Sequence, residues 1–309
     1  MTTSQSSLSL QRVGMRESQI VIYKSQKMKI IGVDVGGTKI GTALIENGVI
    51  LKEYNCPTPF DQNKEAVISA LKEAISEVIT DEVAGIGIGV PGLVDLETNE
   101  VLDVVNIPSW DRVPLKQTLE DHFHKPVFVN NDANCFAVGE KYFGEGLPFR
   151  HFVGLTIGTG MGAGIVLNDH LYSGRYCGAG EFGMIYYKDS IVEAFASGQF
   201  FNDRGQGEKL AEKAAAGDPE AKQMFYELGM HVGRAIGNIL YALAPEAIIL
   251  GGSVSHSFSL FEEGMHSVLK NEFAFQRLYQ SLTIKVSTLE NSALLGAASL
   301  VLDAIQPEE

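Results

Sequence analysis

The sequence has few cysteines, a deficit of basic residues and no long apolar run. Its three cysteines, Cys56, Cys135 and Cys177, are widely spaced, which excludes a disulfide framework and a C-x-x-C zinc or redox motif. The chain has 24 Lys and Arg against 38 Asp and Glu, a net charge of −14, so nucleic acid is not an expected partner. No stretch approaches the ~18–20 apolar residues of a membrane span. These absences predict a soluble protein of a reducing compartment, the cytoplasm, with no membrane partner.

The length and composition predict two domains with real cores. The chain has 309 residues and is 45% hydrophobic, which suits two units of ~100–200 residues each. Residues 1–27 are polar and lack the apolar centre of a signal peptide, so they are expected to form a poorly ordered N-terminal extension. The predicted domains are an N-terminal α/β domain at 28–150 and a C-terminal α/β domain at 151–309. The last helix is expected to pack back on the N-terminal domain.

Both halves open with strands that turn through glycines. From Met28 the pattern predicts three strands, with Asn47-Gly48 as a hairpin turn, and then a helix over 65–79. The second half opens with a predicted β-meander at 151–174. Its start, VGLTIGT, can be aligned with IGVDVGG at the start of the first half. A helical region is expected from Lys209 to Ala244. Two such halves predict an α/β fold of the actin-like ATPase or ribonuclease-H-like kind, with duplicated domains and a cleft between them.

The first glycine turn carries groups that suit a phosphate. A strand delivers Asp34 into Gly36-Gly37, followed by Thr38 and Lys39. Glycines let backbone N–H groups approach phosphate oxygens closely, while Thr38 can donate a hydrogen bond and Lys39 can reach a phosphate. Asp34 can hold the hydration shell of Mg²⁺. A plain hairpin turn with a surface lysine is the alternative, and no G-x-x-x-x-G-K-[ST] loop is present.

Two more glycine loops follow strands. Residues 157–164 contain four glycines around Thr159 and Gly160, and Gly252 ends the buried strand that begins at residue 246. Because ligands of such sheets lie at the carboxyl ends of strands, these loops are expected to face the same cleft. A glycine-rich β-turn would explain one or two of these glycines, but three strand-end loops in one chain predict a nucleotide cleft.

A third polar turn offers a catalytic carboxylate. Asn130, Asn131 and Asp132 follow the short strand PVFV and precede a helix. Asp132 can act as a general base on a substrate hydroxyl, or it can simply cap the helix. In phosphoryl transfer the protein mainly positions groups and stabilises charge, so one carboxylate and a phosphate cradle suffice. The residues alone leave both interpretations open.

Seven motifs together resemble one family. DVGGTK, GVPG, NIPSW, NNDAN, TIGTGMGAGIV, AGEFG and EAFASG occur in the order seen in the ROK family of repressors, open reading frames and kinases, from about Met28 to Ile305. That resemblance implies a fold like that of hexokinase and actin, and phosphorylation of a hexose by Mg·ATP. It also implies a homodimer or homotetramer.

The resemblance assigns roles residue by residue. It implies that Asp132 is the catalytic base on the sugar 6-hydroxyl. It places the nucleotide phosphates on the first two glycine loops, at Asp34, Gly36, Gly37, Thr38, Lys39, Thr159 and Gly160. The third loop, at Gly252, is expected from the residues alone to accommodate the adenosine moiety of the nucleotide against its backbone. It places the sugar hydroxyls on amides and carboxylates, which can each take two hydrogen bonds; these are Asn106, Asn131, Asp132, Glu181 and Glu193.

The sequence departs from the family at its zinc motif. Most members carry a histidine after GE[FI]G and then a cysteine cluster, which together bind a structural zinc. Here Met184 occupies the histidine position and residues 186–193 contain no cysteine. Methionine is a poor zinc ligand, so no zinc site is expected. The family histidine also touches the sugar, so its loss leaves selectivity at the 2-position open: Met184 either packs against an N-acetyl methyl group, leaves room there, or is an ordinary core methionine.

Three functions compete at this point. A hexose kinase acting on glucose is the default, with mannose, N-acetylglucosamine and N-acetylmannosamine as open alternatives. A sugar-responsive repressor needs an N-terminal DNA-binding domain of about 60–80 residues. Only 27 residues precede Met28 and the charge is strongly negative, so a repressor is not expected. A non-catalytic sugar-binding protein is the third reading, which the presence of Asp132 with all the phosphate loops disfavours.

Overall fold

The structure is a computed structural model, which describes residues 28–98, 100–102, 104 and 106–306. The expected extension over residues 1–27 therefore lies outside the described residues. The strands, in chain order, are β1 (Lys29–Val35), β2 (Lys39–Glu46), β3 (Val49–Pro57), β4 (Val83–Val90), β5 (Leu93–Asp95), β6 (Glu100–Leu102), β7 (Arg112–Val113), β8 (Val127–Asn131), β9 (Phe152–Ile157), β10 (Met161–Leu167), β11 (His170–Leu171), β12 (Tyr186–Tyr187), β13 (Ser190–Ile191), β14 (Ala247–Gly251) and β15 (Thr283–Val286).

The helices of the described residues alternate with these strands. In chain order they are α1 (Lys64–Ser76), α2 (Leu115–Phe123), α3 (Asp132–Phe143), α4 (Val192–Ala196), α5 (Gly207–Ala215), α6 (Pro219–Leu243), α7 (Phe258–Asn271), α8 (Gln276–Ser281) and α9 (Ser292–Ile305). Helix α2 and the small sheet of β5, β6 and β7 have no counterpart among the elements expected from the sequence.

Two five-stranded sheets share one topology. The first has the order β3-β2-β1-β4-β8 and the second the order β11-β10-β9-β14-β15. In each, three antiparallel strands are followed by two that run parallel to the first strand of that half. The fold is therefore α/β with a duplicated plan of the actin-like kind. The division at residue 150 stays a prediction, although the two sheets draw their strands from either side of it.

The expected hairpin turn is confirmed in its backbone. Asn47 and Gly48 lie between β2 and β3 with φ of 53° and 78°. A two-residue turn with positive φ at both positions matches the twist of the flanking strands, and Asn-Gly adopts it readily. The turn sets the register of β2 against β3, in which Glu46 pairs with Val49.

The helical region expected from Lys209 to Ala244 is two helices. Helix α5 ends before Gly217, whose φ of 99° belongs to the left-handed region. The Asp218 side chain then accepts a hydrogen bond from the backbone N–H of Ala221 and Pro219 opens α6. A Gly-Asp-Pro sequence of this kind is a stop and restart signal, because Gly ends one helix and a capped Pro begins the next.

Helix α9 lies directly against the first sheet. A Cβ on Gly32 of β1 would lie 2.0 Å from the carbonyl oxygen of Leu294, and one on Gly87 of β4 would lie 1.8 Å from that of Ala297. Gly32 and Gly87 are cross-strand partners, so together they form a flat platform for the helix. On its other side α9 packs on α3, where a Cβ on Gly296 would lie 2.3 Å from the carbonyl oxygen of Cys135. The last described helix thus ties the first sheet to α3, which begins at Asp132.

None of the helices in the described part of the chain combines the length and the apolar character that crossing a bilayer requires.

Candidate active site

The polar turns singled out in the sequence follow strands that are neighbours in the two sheets. Asp34 on β1 pairs with Gly89 on β4, which in turn pairs with Asn130 on β8. In the second sheet Thr156 on β9 pairs with Gly251 on β14. Since parallel strands end at the same edge, the first glycine turn and Asp132 share one edge, and the other two glycine loops share the corresponding edge of the second sheet.

The first glycine loop is closed by its own backbone. The N–H of Gly36 donates to the carbonyl of Lys39 at 2.9 Å, and the hydroxyl of Thr58 donates to the carbonyl of Gly36 at 2.7 Å. A Cβ on Gly37 would lie 2.6 Å from the Cβ of Asn106, so Asn106 lies directly beside this loop. The side chains of Thr38 and Lys39 are exposed. The loop presents a donor and a cation to solvent, as phosphate binding requires.

The second and third glycine loops adjoin each other. The carbonyls of Gly158 and Thr159 accept hydrogen bonds from Gly198 and Ser197, at 2.7 and 3.1 Å. Gly252 has φ of 82°, and a Cβ there would lie 2.4 Å from the carbonyl oxygen of Ile157 on the neighbouring strand. Only glycine fits that position without strain. The fixed loops present a backbone surface with little side-chain obstruction.

Asp132 is not the cap of its helix. The cap of α3 is Asn131, whose side-chain oxygen accepts from the N–H of Asn134 at 2.7 Å. Asp132 stands in the first turn, where its Oδ1 accepts from the N–H of Ala133 at 2.8 Å. The side chain keeps solvent contact, although surrounding protein atoms partly desolvate its carboxyl group. That desolvation raises the pKa of the carboxyl group, partly offset by backbone hydrogen bonds.

Four carboxylates share this cleft. Burial raises the pKa of Asp34, and the negative charge of Asp132 raises it further, against the opposing effect of Lys39. Burial likewise raises the pKa of Glu181, with added repulsion from Asp132 and Glu193. Carboxylates that repel one another across a cleft are stabilised by hydroxyl donors or by a cation. Electrostatic repulsion therefore links Asp132 to Asp34 and to Glu181, and Glu181 to Glu193.

Glu193 is held by both of its oxygens. Its Oε2 accepts from the backbone N–H of Met161 at 2.8 Å, and its Oε1 accepts from the side-chain amide of Gln199 at 2.7 Å. A Cβ on Gly160 would lie 2.5 Å from that Oε2, so the carboxylate rests on the second glycine loop. Gln199 was not singled out in the sequence. The only signal for it is its place directly after the ASG of EAFASG.

Asn131 is less available than the resemblance implies. Its side chain is buried, and besides capping α3 its amide donates to the carbonyl of Cys177 at 2.7 Å. Cys177 belongs by sequence to the second half, yet its side chain is buried in the core of the first sheet. Burial raises the pKa of this thiol to about 12. The turn at Cys177 thus holds the polar end of β8 in place from across the cleft.

Met184 is a surface residue. It is 56% exposed, so the expectation of an ordinary core methionine is wrong. Two interpretations of Met184 stay open: that it packs against an N-acetyl methyl group of the sugar, and that it leaves room at that position. Among the described residues no group of three or more His, Cys, Asp or Glu side chains could hold a metal ion. The absence of a zinc site stays a prediction, to be checked by a metal assay on the purified protein.

The duplicated α/β fold, with glycine loops at strand ends and carboxylates in between, defines an actin-like ATPase-type protein. Comparison with known proteins assigns the family: the model of the ROK family matches residues 30–304, and the chain belongs to that family.

Three known proteins illustrate the range of its relatives. The chain is 31% identical to a glucokinase of Thermotoga maritima, over 90% of this chain and 99% of that protein. A crystal structure of a ROK family glucokinase from Streptomyces griseus, in complex with glucose and AMPPNP, superposes with a TM-score of 0.72 at 30% identity, over 88% and 98% of the two chains. The chain is also 29% identical to a xylose repressor of Caldicellulosiruptor bescii, over 88% of this chain and 78% of that protein.

Proposed function

We propose that this protein is an ATP-dependent hexose kinase, which transfers the γ-phosphate of Mg·ATP to the 6-hydroxyl of an aldohexose. The single observation that carries the proposal is Asp132. Its carboxylate is freed from helix capping by Asn131, has a raised pKa and faces a cleft that the glycine loops border. Similarity to two glucokinases supports the same activity.

In this proposal the chain supplies a base and two phosphate cradles. Asp132 accepts the proton of the attacking hydroxyl, and a base whose pKa is raised toward neutrality is better matched to that task. Lys39 and Thr38 face the transferred phosphoryl group, where a positive charge stabilises the transition state. The backbone of Gly36, Gly37, Thr159, Gly160 and Gly252 lets the nucleotide approach closely.

Magnesium enters with ATP as part of the substrate. Mg²⁺ prefers oxygen ligands and usually binds through one or two carboxylates and the substrate phosphates, keeping several waters. Asp34 fits that requirement, because it stands at the first phosphate loop and the charge of Asp132 destabilises it when no cation is near. The ion neutralises phosphate charge, and Asp34 orients its hydration shell.

The sugar is proposed to lie between Glu181, Glu193 and Asn106. Each carboxylate can accept two hydroxyl hydrogen bonds, so an aldohexose can be held in one orientation with its 6-hydroxyl at Asp132. Asn131 contributes mainly by fixing this turn, since its amide is already hydrogen-bonded within the protein. Glucose is the default substrate, and mannose or an N-acetyl hexosamine is the alternative that exposed Met184 leaves room for.

A non-catalytic sugar-binding protein is the second candidate. The similarity to a xylose repressor favours this candidate, because the matched region makes up 78% of a protein that is named a repressor and not a kinase. The two candidates differ in one measurable respect, namely whether ATP is consumed when sugar is present.

ADP release from purified protein with Mg·ATP, measured across glucose, mannose, N-acetylglucosamine, N-acetylmannosamine and fructose, tests the proposal. We expect ADP release that depends on sugar and is fastest with glucose. Faster turnover of an N-acetyl sugar would make the protein an amino-sugar kinase and Met184 part of its pocket. Binding of a sugar without any ADP release would establish the second candidate and refute the kinase. A metal assay on the same sample checks the expected lack of zinc.

The position of the Glu193 carboxylate against the second glycine loop gives a separate prediction. In Gly160→Ala the new Cβ would lie 2.5 Å from Glu193 Oε2, which must move away from the N–H of Met161. Hydrogen bonds to charged groups contribute ~1.5–3 kcal/mol, so we expect the KM for the sugar to rise about tenfold or more. Steady-state kinetics with the sugar varied at saturating ATP measure this change.

Gly158→Ala is the matched control for that variant. A Cβ at Gly158 would meet nothing closer than Ser253 Oγ at 3.9 Å, an ordinary contact. We expect it to leave the KM for the sugar close to that of the wild type and to act, if at all, on the KM for ATP. Equal effects of the two variants on the sugar would contradict the role given to Glu193.

A further inference from the structure

The segment that joins the two sugar-site carboxylates rests on a cluster of rings. Between Glu181 and Glu193 the chain forms the hairpin of β12 and β13, and after Glu193 it continues through α4 into a short helical turn at Gly198–Phe201. The rings of Tyr187, Phe195 and Phe200 on this segment surround His231 of α6. We call these four side chains the His231 cluster.

Within the cluster, a hydrogen bond joins Tyr187 to His231 and the rings pack closely around the imidazole. The hydroxyl of Tyr187 lies 3.0 Å from Nδ1 of His231. The three rings have centroids 5.7, 5.4 and 5.9 Å from that of the imidazole, for Tyr187, Phe195 and Phe200 respectively. Only 8% of His231 is exposed. A buried imidazole orients its hydrogen-bond partner, because losing the bond would leave a buried ring nitrogen unsatisfied.

Cations enclose the cluster on its outer side. Lys188 lies 4.8 Å from the centre of the Phe195 ring and 5.6 Å from that of Tyr187, and Arg204 stacks 4.2 Å over Phe200. Arg234, on the same helix as His231, forms a bidentate ion pair with Glu272, which directly follows α7, and also interacts with the hydroxyl of Tyr187. Burial and the charges of Lys188, Arg234 and Arg204 lower the pKa of His231 to about 4, so the imidazole is neutral near pH 7.

The same segment holds the site. Phe195 follows Glu193 by two residues on α4, and between Phe195 and Phe200 the chain bonds twice to the second glycine loop. These bonds run from the Ser197 hydroxyl to the carbonyl of Thr159 and from the N–H of Gly198 to that of Gly158. Residues 193–200 therefore connect the carboxylate proposed for the sugar to the loop proposed for the phosphate, and the two phenylalanines anchor both ends of this connection on His231.

We propose that His231 and Tyr187 are positioning residues, which fix Glu193 and the loop at residues 158–160 in one relative arrangement through Phe195 and Phe200. This inference rests on the proposed function for the roles of Glu193 and the loop, while the mechanical link stands on the contacts alone. Loss of the Tyr187–His231 bond loosens residues 193–200. The sugar site then loses affinity although every group that touches the sugar is still present.

The chain contains a matched control for this link. His266 of α7 and Tyr279 of α8 form a second bond of the same kind, with Nδ1 and hydroxyl also 3.0 Å apart. That pair joins two helices of the second half and carries none of the residues assigned to the site. A change that acts only by weakening the fold is expected from either pair, whereas a change in the site is expected from the Tyr187 pair alone.

The experiment compares Tyr187→Phe with Tyr279→Phe, and His231→Gln serves as a second variant. Without any ligand, hydrogen–deuterium exchange is expected to rise in residues 158–161 and 193–200 of Y187F and H231Q, but not of Y279F. At a temperature where all variants are folded, the KM for the sugar is expected to rise about tenfold in Y187F, as for one buried hydrogen bond, with a smaller change in kcat.

Each outcome decides one question. Unchanged exchange in residues 158–161 and 193–200 of both Y187F and H231Q would overturn the inference, whatever the protein catalyses. Raised exchange with an unchanged KM in a protein that does turn over sugar would overturn it as well, since the link would not reach the site. Raised exchange in a protein that consumes no ATP would support the link and refute only the kinase proposal.

Discussion

Replacing Asp132 by Asn is expected to lower kcat by a factor of about 10²–10⁴, the contribution typical of a general base. Asparagine keeps an oxygen that can accept the hydrogen bond from the N–H of Ala133, so the start of α3 is preserved. What is lost is the ability to take a proton from the sugar hydroxyl. The variant is therefore expected to fold like the wild type, and kcat measured at saturating sugar and ATP reports the loss.

The pH dependence gives the same prediction a second readout. A base acts only when deprotonated, so the rate falls as the pH is lowered through its pKa. The pKa of Asp132 is raised from the usual aspartate value of 3.8, mainly by burial, so this acid limb is expected above that value. In Asp132→Asn the limb should disappear from what activity is left. If Asp34→Asn removes it instead, Asp34 is the base and the assignment is wrong.

Asp218→Asn is the control for this variant. Asp218 also accepts a hydrogen bond from a backbone N–H at the start of a helix, in its case from Ala221 at 2.8 Å, and it is exposed. Asparagine is an equally good cap, so neither kcat nor stability is expected to change. A similar loss of kcat in both variants would show that a nonspecific charge effect had been measured.

Replacing Gly87 by Ala is expected to lower the free energy of unfolding strongly. The new Cβ would lie 1.8 Å from the carbonyl oxygen of Ala297 and 2.7 Å from its carbon, so the backbone of α9 has to move as a body. Overpacking of a core costs ~1–3 kcal/mol when side chains can adjust, and here only backbone can. We expect at least about 3 kcal/mol, a fall in Tm of several degrees for a protein of this size. Thermal and urea unfolding measure it.

Gly237→Ala tests whether adding a methyl group matters by itself. Gly237 lies inside α6, and a Cβ there would meet only Phe273, at 3.8 Å. Alanine is favoured over glycine in a helix by ~0.5–1 kcal/mol, so this variant is expected to be slightly more stable than the wild type. Wild-type stability in Gly87→Ala would mean that α9 does not rest on β4. It would also remove the support that α9 gives to α3 and to Asp132.

Local sequence was enough to predict the plan of the fold. The β-branched runs that become β1 and β4, the Asn47-Gly48 turn and the glycines at strand ends are signals over a few residues, which is the range within which backbone preferences act. The break between α5 and α6 is encoded in the same way, by Gly217, Asp218 and Pro219, although one helical region is predicted across it from Lys209 to Ala244.

The identity of the helix cap could not be predicted from sequence. Asn131 and Asp132 are equally good caps, and which of them serves depends on where β8 ends. That point is set by pairing of Val90 with Asn131 across the sheet. The carbonyl of Cys177, 46 residues further on, then accepts a hydrogen bond from the side-chain amide of Asn131. Contacts between residues so distant leave no local pattern.

The sequence by itself determined the family, the duplicated α/β plan and the set of chemically suited residues, because these depend on short motifs and on their order. Only the tertiary structure decided which of those residues lie close together, that Glu193 rests on Gly160, and that His231 of α6 meets Tyr187. Charges and ring contacts act through space over a few ångströms. Their effects therefore exist only once distant segments have been folded together.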